Sequence, residues 1–181
     1  MNKYYKAEMD RLLRISTRVV TGVFIILPLG LVFGFYKALH APAACPGRFG
    51  NSLLILWMIL VLALTALTAY VARAMAPKGY ALNDVELLID RDMKPIKIPL
   101  KEILGVSALE DGLLRSSLRL MGTSGYYGYY GLFWNRKLGR YRAYVTRTKD
   151  LLAVKTEKGL YVLSPDDTKD FAAALSQLLR K

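Results

Sequence analysis

Two uninterrupted apolar runs constrain this chain more than any other feature. Between Arg18 and Lys37 stand 18 consecutive uncharged residues, VVTGVFIILPLGLVFGFY, and between Arg48 and Arg73 stand 24, densest from Leu53 to Val71. At about 1.5 Å of helical rise per residue, the shorter run covers roughly 27 Å, close to the hydrocarbon thickness of a bilayer. Both read as transmembrane helices, with spans at about 19–37 and 52–73. The connection HAPAACPGRFGN carries Pro42, Pro46, Gly47 and Gly50, which suits a tight turn between antiparallel helices. Residues 19–75 are therefore expected to form a transmembrane hairpin. Pro28 predicts a kink in the first helix, while Gly22, Gly30 and Gly34 suit close helix approach or, preferred here, simple local packing.

Charge placement sets the orientation. The first 18 residues form a basic tail with Lys3, Lys6, Arg11, Arg14 and Arg18, the second helix exits at Arg73 and Lys78, and the connection holds only Lys37 and Arg48 at its margins. Cytoplasmic flanks carry the excess of Lys and Arg, so both termini are expected in the cytoplasm. The long tail before the first span is unlike a compact secretory signal, and that helix is expected to be retained. The PAAC segment ending at Cys45 is similar to a lipoprotein cleavage site, but Pro42 stands where Leu or Val belongs, so Cys45 reads as an ordinary loop thiol. His40 and Cys45 share a Pro/Gly turn with no third orienting group, which makes catalysis there improbable. A single Cys and a single His exclude an intrachain disulfide framework and an ordinary zinc site.

Beyond Ala76 and Pro77 the pattern changes to short alternating strands, marking a second domain at 78–181. Val85, Leu87 and Ile89 alternate with charged residues, Asp90-Arg91-Asp92 supplies a turn, and Ile96, Ile98 and Leu100 follow, which predicts a hairpin. Tyr141, Ala143 and Val145, then LLAVKT, then LYVL predict three successive antiparallel strands. The Ser164-Pro165-Asp166-Asp167 segment predicts a helix start capped by Ser164, and Phe171, Leu175, Leu178 and Leu179 form its apolar stripe. About seven strands and one terminal helix give a mostly-β, α+β domain with the order of a pleckstrin-homology-like (PH-like) barrel capped by a C-terminal helix.

The segments GTSGYYGYYGLFW (122–134) and VLSPDDTKDF (162–171), with Gly139, Tyr141, Tyr144 and Thr146 between them, resemble the bacterial PH-like domain family of small membrane proteins. Tyr80 and IPLKEILGV (98–106) extend the resemblance over roughly 78–180. The resemblance implies a PH-like barrel at the cytoplasmic face of a bacterial inner membrane, an interaction role, and no catalytic residues or cofactor. Eukaryotic PH domains hold inositol phosphates with basic residues of the first hairpin. Here that turn is DRDMK (90–94), in which two aspartates flank Arg91, a departure from that pattern.

The most unusual local composition is Tyr126, Tyr127, Tyr129, Tyr130, Phe133 and Trp134 interleaved with Gly125, Gly128 and Gly131, followed at once by Arg136, Lys137, Arg140 and Arg142. Aromatics with polar tips beside cations suit anionic headgroups or a protein interface. The plainer alternative has the aromatics filling the core and the glycines permitting bends. Candidate contact residues are Tyr127, Tyr129, Trp134, Arg136, Lys137, Arg140 and Arg142. The second domain is only moderately basic, so nucleic acid is not expected, and without His or Cys it offers no evident catalytic or metal-binding set. The glycines at 122, 125, 128 and 131 lack the GK[ST] of a phosphate loop. The expected function is a non-enzymatic interaction or scaffolding module, through self-assembly or docking of a membrane-associated protein. The alternative is an anionic-lipid sensor working through residues 126–142. A third reading is an accessory subunit of a transporter, which needs a partner because no charge lies within either span between its flanking basic residues.

Overall fold

The computed structural model describes residues 3–39 and 48–180. The connection with His40 and Cys45 lies outside the described residues. The chain divides into two compact units, one of Arg18–Val71 and one of Met1–Thr17 with Ala72–Lys181.

The first unit consists of the apolar lengths of two helices, α1 (Arg11–Leu39) and α2 (Arg48–Met75). Both are long and apolar enough to cross a membrane, with a mean hydropathy of 2.3 in their most apolar windows. The hydroxyls of Thr65 and Thr68 donate to the carbonyls of Val61 and Leu64 at 2.7 Å, so these polar groups are satisfied within the helix. Side chains built on Gly22, Gly30 or Gly34 would meet nothing within 4 Å among the described residues, so no close approach between described residues requires glycine there. An apolar crevice of about 140 Å³ is lined by Pro28, Leu31, Phe35, Trp57, Met58 and neighbours.

The second unit holds two sheets and a helix. Strands β1 (Lys3–Lys6), β2 (Pro77–Leu82), β3 (Glu86–Arg91) and β4 (Ile96–Pro99) form an antiparallel sheet in that order. Strands β5 (Ile103–Ala108), β6 (Leu118–Ser124), β7 (Tyr129–Asn135), β8 (Gly139–Val145), β9 (Leu152–Thr156) and β10 (Gly159–Leu163) form a second sheet in the order β5-β9-β10-β8-β7-β6. Helix α3 (Thr168–Leu179) follows. The two sheets are not closed into a barrel; with the C-terminal helix they give the PH-like order in its open form.

Alternation explains the β3–β4 hairpin: Leu87 and Ile89 are buried, and Leu87 stands opposite Ile98. The strands between Tyr141 and Leu163 depart from expectation. β9 and β10 pair antiparallel, but β8 pairs with β10 in parallel, because β9 lies between β10 and β5. The chain after β8 therefore crosses over rather than turning back, and Asp150 takes a left-handed φ of 51° in that link.

The N-terminal segment is not a free tail. Tyr5 stands opposite Tyr80 in the β1–β2 ladder, and its ring meets Phe171 edge-on at 5.0 Å. Burial of Tyr5 and Ala7 supplies the driving force, which an apolar pair among charges conceals in the sequence. Beyond β1, Asp10 caps α1 by accepting the Leu13 N–H at 2.7 Å, while its other oxygen accepts the Thr148 N–H and hydroxyl at 3.1 and 3.2 Å. The end of α2 is held as firmly. Its Ala72 carbonyl accepts the Tyr130 hydroxyl and its Ala74 carbonyl accepts the Met93 N–H, so carbonyls that a helix terminus leaves unpaired find partners.

The main core joins both sheets and α3, with Tyr80, Leu87, Ile89, Val154, Leu163 and Phe171 fully buried. Phe171 and Leu175 lie on the buried side of α3, and Leu178 and Leu179 pack partly against it. The helix begins later than expected. Asp167, not Ser164, is its N-cap and accepts the Asp170 N–H at 3.0 Å. Ser164 is instead completely buried, accepting the Thr146 N–H and donating its own N–H to the Tyr80 hydroxyl. A second core cluster on the other side of the six-stranded sheet includes Leu113, Leu114, Phe133, Tyr141 and Val145.

Candidate interaction surface

The aromatic run buries side chains on both faces of β7, and strict alternation holds only from Phe133 to Asn135. Along β7, Tyr130, Phe133 and Asn135 are buried while Trp134 is exposed. Phe133 stacks on Tyr141 of β8 with ring centroids 5.9 Å apart, and burial pushes the Tyr141 hydroxyl pKa upward. Gly122 of β6 stands opposite Gly131 of β7, with φ of 113° and 120°. A Cβ on Gly122 would lie 2.1 Å from the Tyr130 carbonyl oxygen, and one on Gly131 would lie 2.2 Å from that of Met121. Only glycine permits this close crossing, which bends the β6–β7 ribbon.

The seven sequence-selected residues separate into three groups. Tyr127 occupies the β6–β7 turn at a φ of 57°, donates its N–H to the Thr17 hydroxyl at 3.1 Å, and lies half-buried. Its ring is 4.7 Å from that of Tyr126. Tyr129 packs partly against the second core cluster; burial, then the charge of Asp10, raises its pKa, with Arg115 opposing. Tyr129 thus contributes to the packing of the domain, while Tyr127 is held in its turn by its backbone bond to Thr17.

Arg136 and Lys137 occupy the β7–β8 turn, organised by buried Asn135, whose side-chain carbonyl accepts the Lys137 N–H at 2.8 Å. The Lys137 ammonium pairs with Glu110 at 2.7 Å; both are exposed, the carboxylate is held below its ordinary range and the ammonium above it. Trp134, Arg140 and Arg142 share the outer face. Trp134 is 43% exposed and stands between Leu118 of β6 and Arg140 of β8. Arg142 stands opposite Leu132, donates to the Tyr161 hydroxyl at 3.1 Å, and holds its guanidinium 5.6 Å from that ring. Tyr161 stacks on Tyr144, over which Arg91 lies at 5.9 Å.

Strand β6 was not among the selected residues, yet it carries three exposed apolar side chains, against one, Leu104, on the opposite edge strand β5. Leu118 is 62% exposed, Leu120 46% and Met121 73%. Leu120 is the extra residue of a bulge, since Arg119 pairs with Phe133 and Met121 with Leu132. A sequence signal was available: residues 112–149 contain eight Lys or Arg and no Asp or Glu. What this surface can do chemically is present apolar contact and positive charge together. Among the described residues, no group of three or more His, Cys, Asp or Glu side chains gathers to hold a metal ion.

A family model described as the bacterial PH domain matches residues 78–179. Searches of curated proteins and of solved structures find no match. The matched stretch runs from the second residue of β2 to the last residue of α3 and contains both the buried Tyr80–Ser164 tie and the Trp134–Arg140 face. The chain belongs to the bacterial PH domain family.

Proposed function

We propose that the chain is a two-span bacterial inner-membrane protein whose PH domain acts at the cytoplasmic face as a non-enzymatic docking module. The observation that carries this reading is the exposed Leu118, Leu120, Met121 and Trp134 surface beside carboxylate-free basic strands. Pairing of β1 with β2 supports a hairpin that enters and leaves the bilayer on one side, and the basic flanks support that side being cytoplasmic. The test is the mass and composition of the complex extracted in mild detergent from native membranes at endogenous expression. An assembly larger than the monomer is expected; a monomer carrying lipid alone refutes the docking reading.

A second reading, direct attraction to anionic lipid, draws on the adjacent Trp134 and Arg140. Reversing Arg136, Lys137 and Arg140 together in the full chain tests it. Under this reading the effect of anionic lipid on the chain's stability in nanodiscs disappears; under protein docking it stays unchanged.

A further inference from the structure

We propose that the outer edge of β6 receives an extended acidic segment of a partner protein, which adds to the six-stranded sheet as a seventh strand. The proposal rests on the docking reading and names the chemistry of its partner.

Sheet edges present unpaired N–H and C=O groups, and proteins normally shield them with short strands, charges, proline, bulges or covering elements. The other three edges of this unit are shielded in those ways. β1 has four residues with a lysine at each end, and β4 has four and closes on Pro99. β5 shifts register between Ile103 and Gly105 and has α3 against it. β6 is the longest edge, with seven residues, and lies outermost in its sheet. Of those devices β6 has only Arg119 and a bulge, with no proline and, among the described residues, no covering element, and the bulge leaves Leu120 without a partner on β7 and adds to the exposed apolar surface. Among the described residues, no hydrogen bond from another element reaches the outer edge of β6.

Charge selects the occupant. Arg119 lies on β6 itself, Arg115 just precedes it, and both are exposed. Neighbouring strands lie about 4.8 Å apart, so an added strand comes directly beside Arg119, while Arg140 and Arg142, two strands further in, supply only the wider positive field. A second copy of β6 would set one carboxylate-free surface against another. An acidic strand alternating with apolar residues meets the positive charge, the Leu118 and Met121 side chains and the open backbone groups together. A lipid surface would meet the first two and leave the backbone groups unpaired.

The test uses the full chain in nanodiscs of zwitterionic lipid and a fluorescent, end-capped seven-residue peptide alternating Glu with Ile. Saturable binding is expected, falling with added salt and weakened about tenfold by Arg115→Glu with Arg119→Glu. The matching Lys/Ile peptide is expected to bind that double variant better than the wild type, a gain that a misfolded variant cannot give. N-methylation of alternate peptide residues should abolish binding for one of the two possible sets, because one set donates to β6. Absence of saturable binding overturns the proposal, as does insensitivity to the charge reversals or undiminished binding of both methylated peptides. A disulfide dimer formed readily by Met121→Cys, at the centre of β6, in a Cys45→Ser background assigns the edge to a second copy and also overturns it. With a large native assembly, those results refute the β6 inference alone, whereas a native monomer refutes the docking reading beneath it.

Discussion

Replacing Tyr80 by phenylalanine should loosen the junction between the two sheets without changing the shape of the core. Tyr80 is completely buried on β2; its hydroxyl donates to the Tyr144 carbonyl of β8 at 2.6 Å and accepts the Ser164 N–H at 3.1 Å. Phenylalanine removes one hydrogen bond, worth about 1 kcal/mol, and leaves the Ser164 donor buried without that partner, at a further ~1–3 kcal/mol. The expected loss is about 2–4 kcal/mol, a large share of the ~5–15 kcal/mol of a typical domain. Hydrogen exchange at Ser164 and through β10, measured on the full chain, should quicken by roughly 30- to 700-fold, since each 1.4 kcal/mol is tenfold. The same hydroxyl has a pH signature. Burial is the largest cause of its rise to a pKa of about 12, with hydrogen bonding from Ser164 working against it. A folded-state pKa above the unfolded value of about 10 means that its contribution is complete below pH ~10 and is lost between pH ~10 and ~12, amounting to about 3 kcal/mol. Y80F should flatten that part of the alkaline profile. An exchange rate within about threefold of wild type, with an unchanged profile, would refute the claim that this hydroxyl ties the sheets.

Gly131→Ala should disrupt the β6–β7 ribbon, because its Cβ falls 2.2 Å from the Met121 carbonyl oxygen at a φ of 120°. A loss of at least ~2 kcal/mol is expected; thermal unfolding of the full chain in nanodiscs checks it, whereas Gly105→Ala, which meets open space, should change little. Asp10→Ala removes the α1 cap and the acceptor of both Thr148 donors. It should cost about 1–3 kcal/mol and speed amide exchange at residues 13 and 148 before it affects α3. Equal protection at those amides in mutant and wild type would count against the cap.

The two apolar helices, the β3–β4 hairpin and the stripe of α3 are legible in the sequence because each depends on local periodicity, which nearby residues fully express. The pairing of Tyr5 with Tyr80 is not, since it depends on partners 75 positions apart and on a strand of only four residues. The alternation of Tyr141, Ala143 and Val145 identifies a buried face but says nothing of the neighbour, so the parallel β8–β10 pairing escapes it. Ser164 illustrates competition: the same hydroxyl that suits a helix cap is taken by Thr146 and drawn into the core, and the cap passes to Asp167. On the surface, alternation correctly separates Trp134 from Phe133. Exposure of β6 is invisible to it, because Leu118 and Leu120 alternating with Arg119 read like any half-buried strand.

The pairing of Lys3–Lys6 with Gly79–Leu82 also sets the order of biogenesis. β1 is synthesised first but finds its neighbour only after more than 70 further residues, both apolar helices among them, have been made. At a translation rate of ~5–20 residues per second, that wait lasts about 4–15 s. During it the nascent N-terminal segment has no β2 to join, and the first sheet cannot close around Tyr80 until the second apolar helix has left the ribosome. The ladder is thus a late ligature: the amino-terminal strand is tied down only after both apolar helices have been made, so completion of the domain waits on the whole helical segment between its two strands.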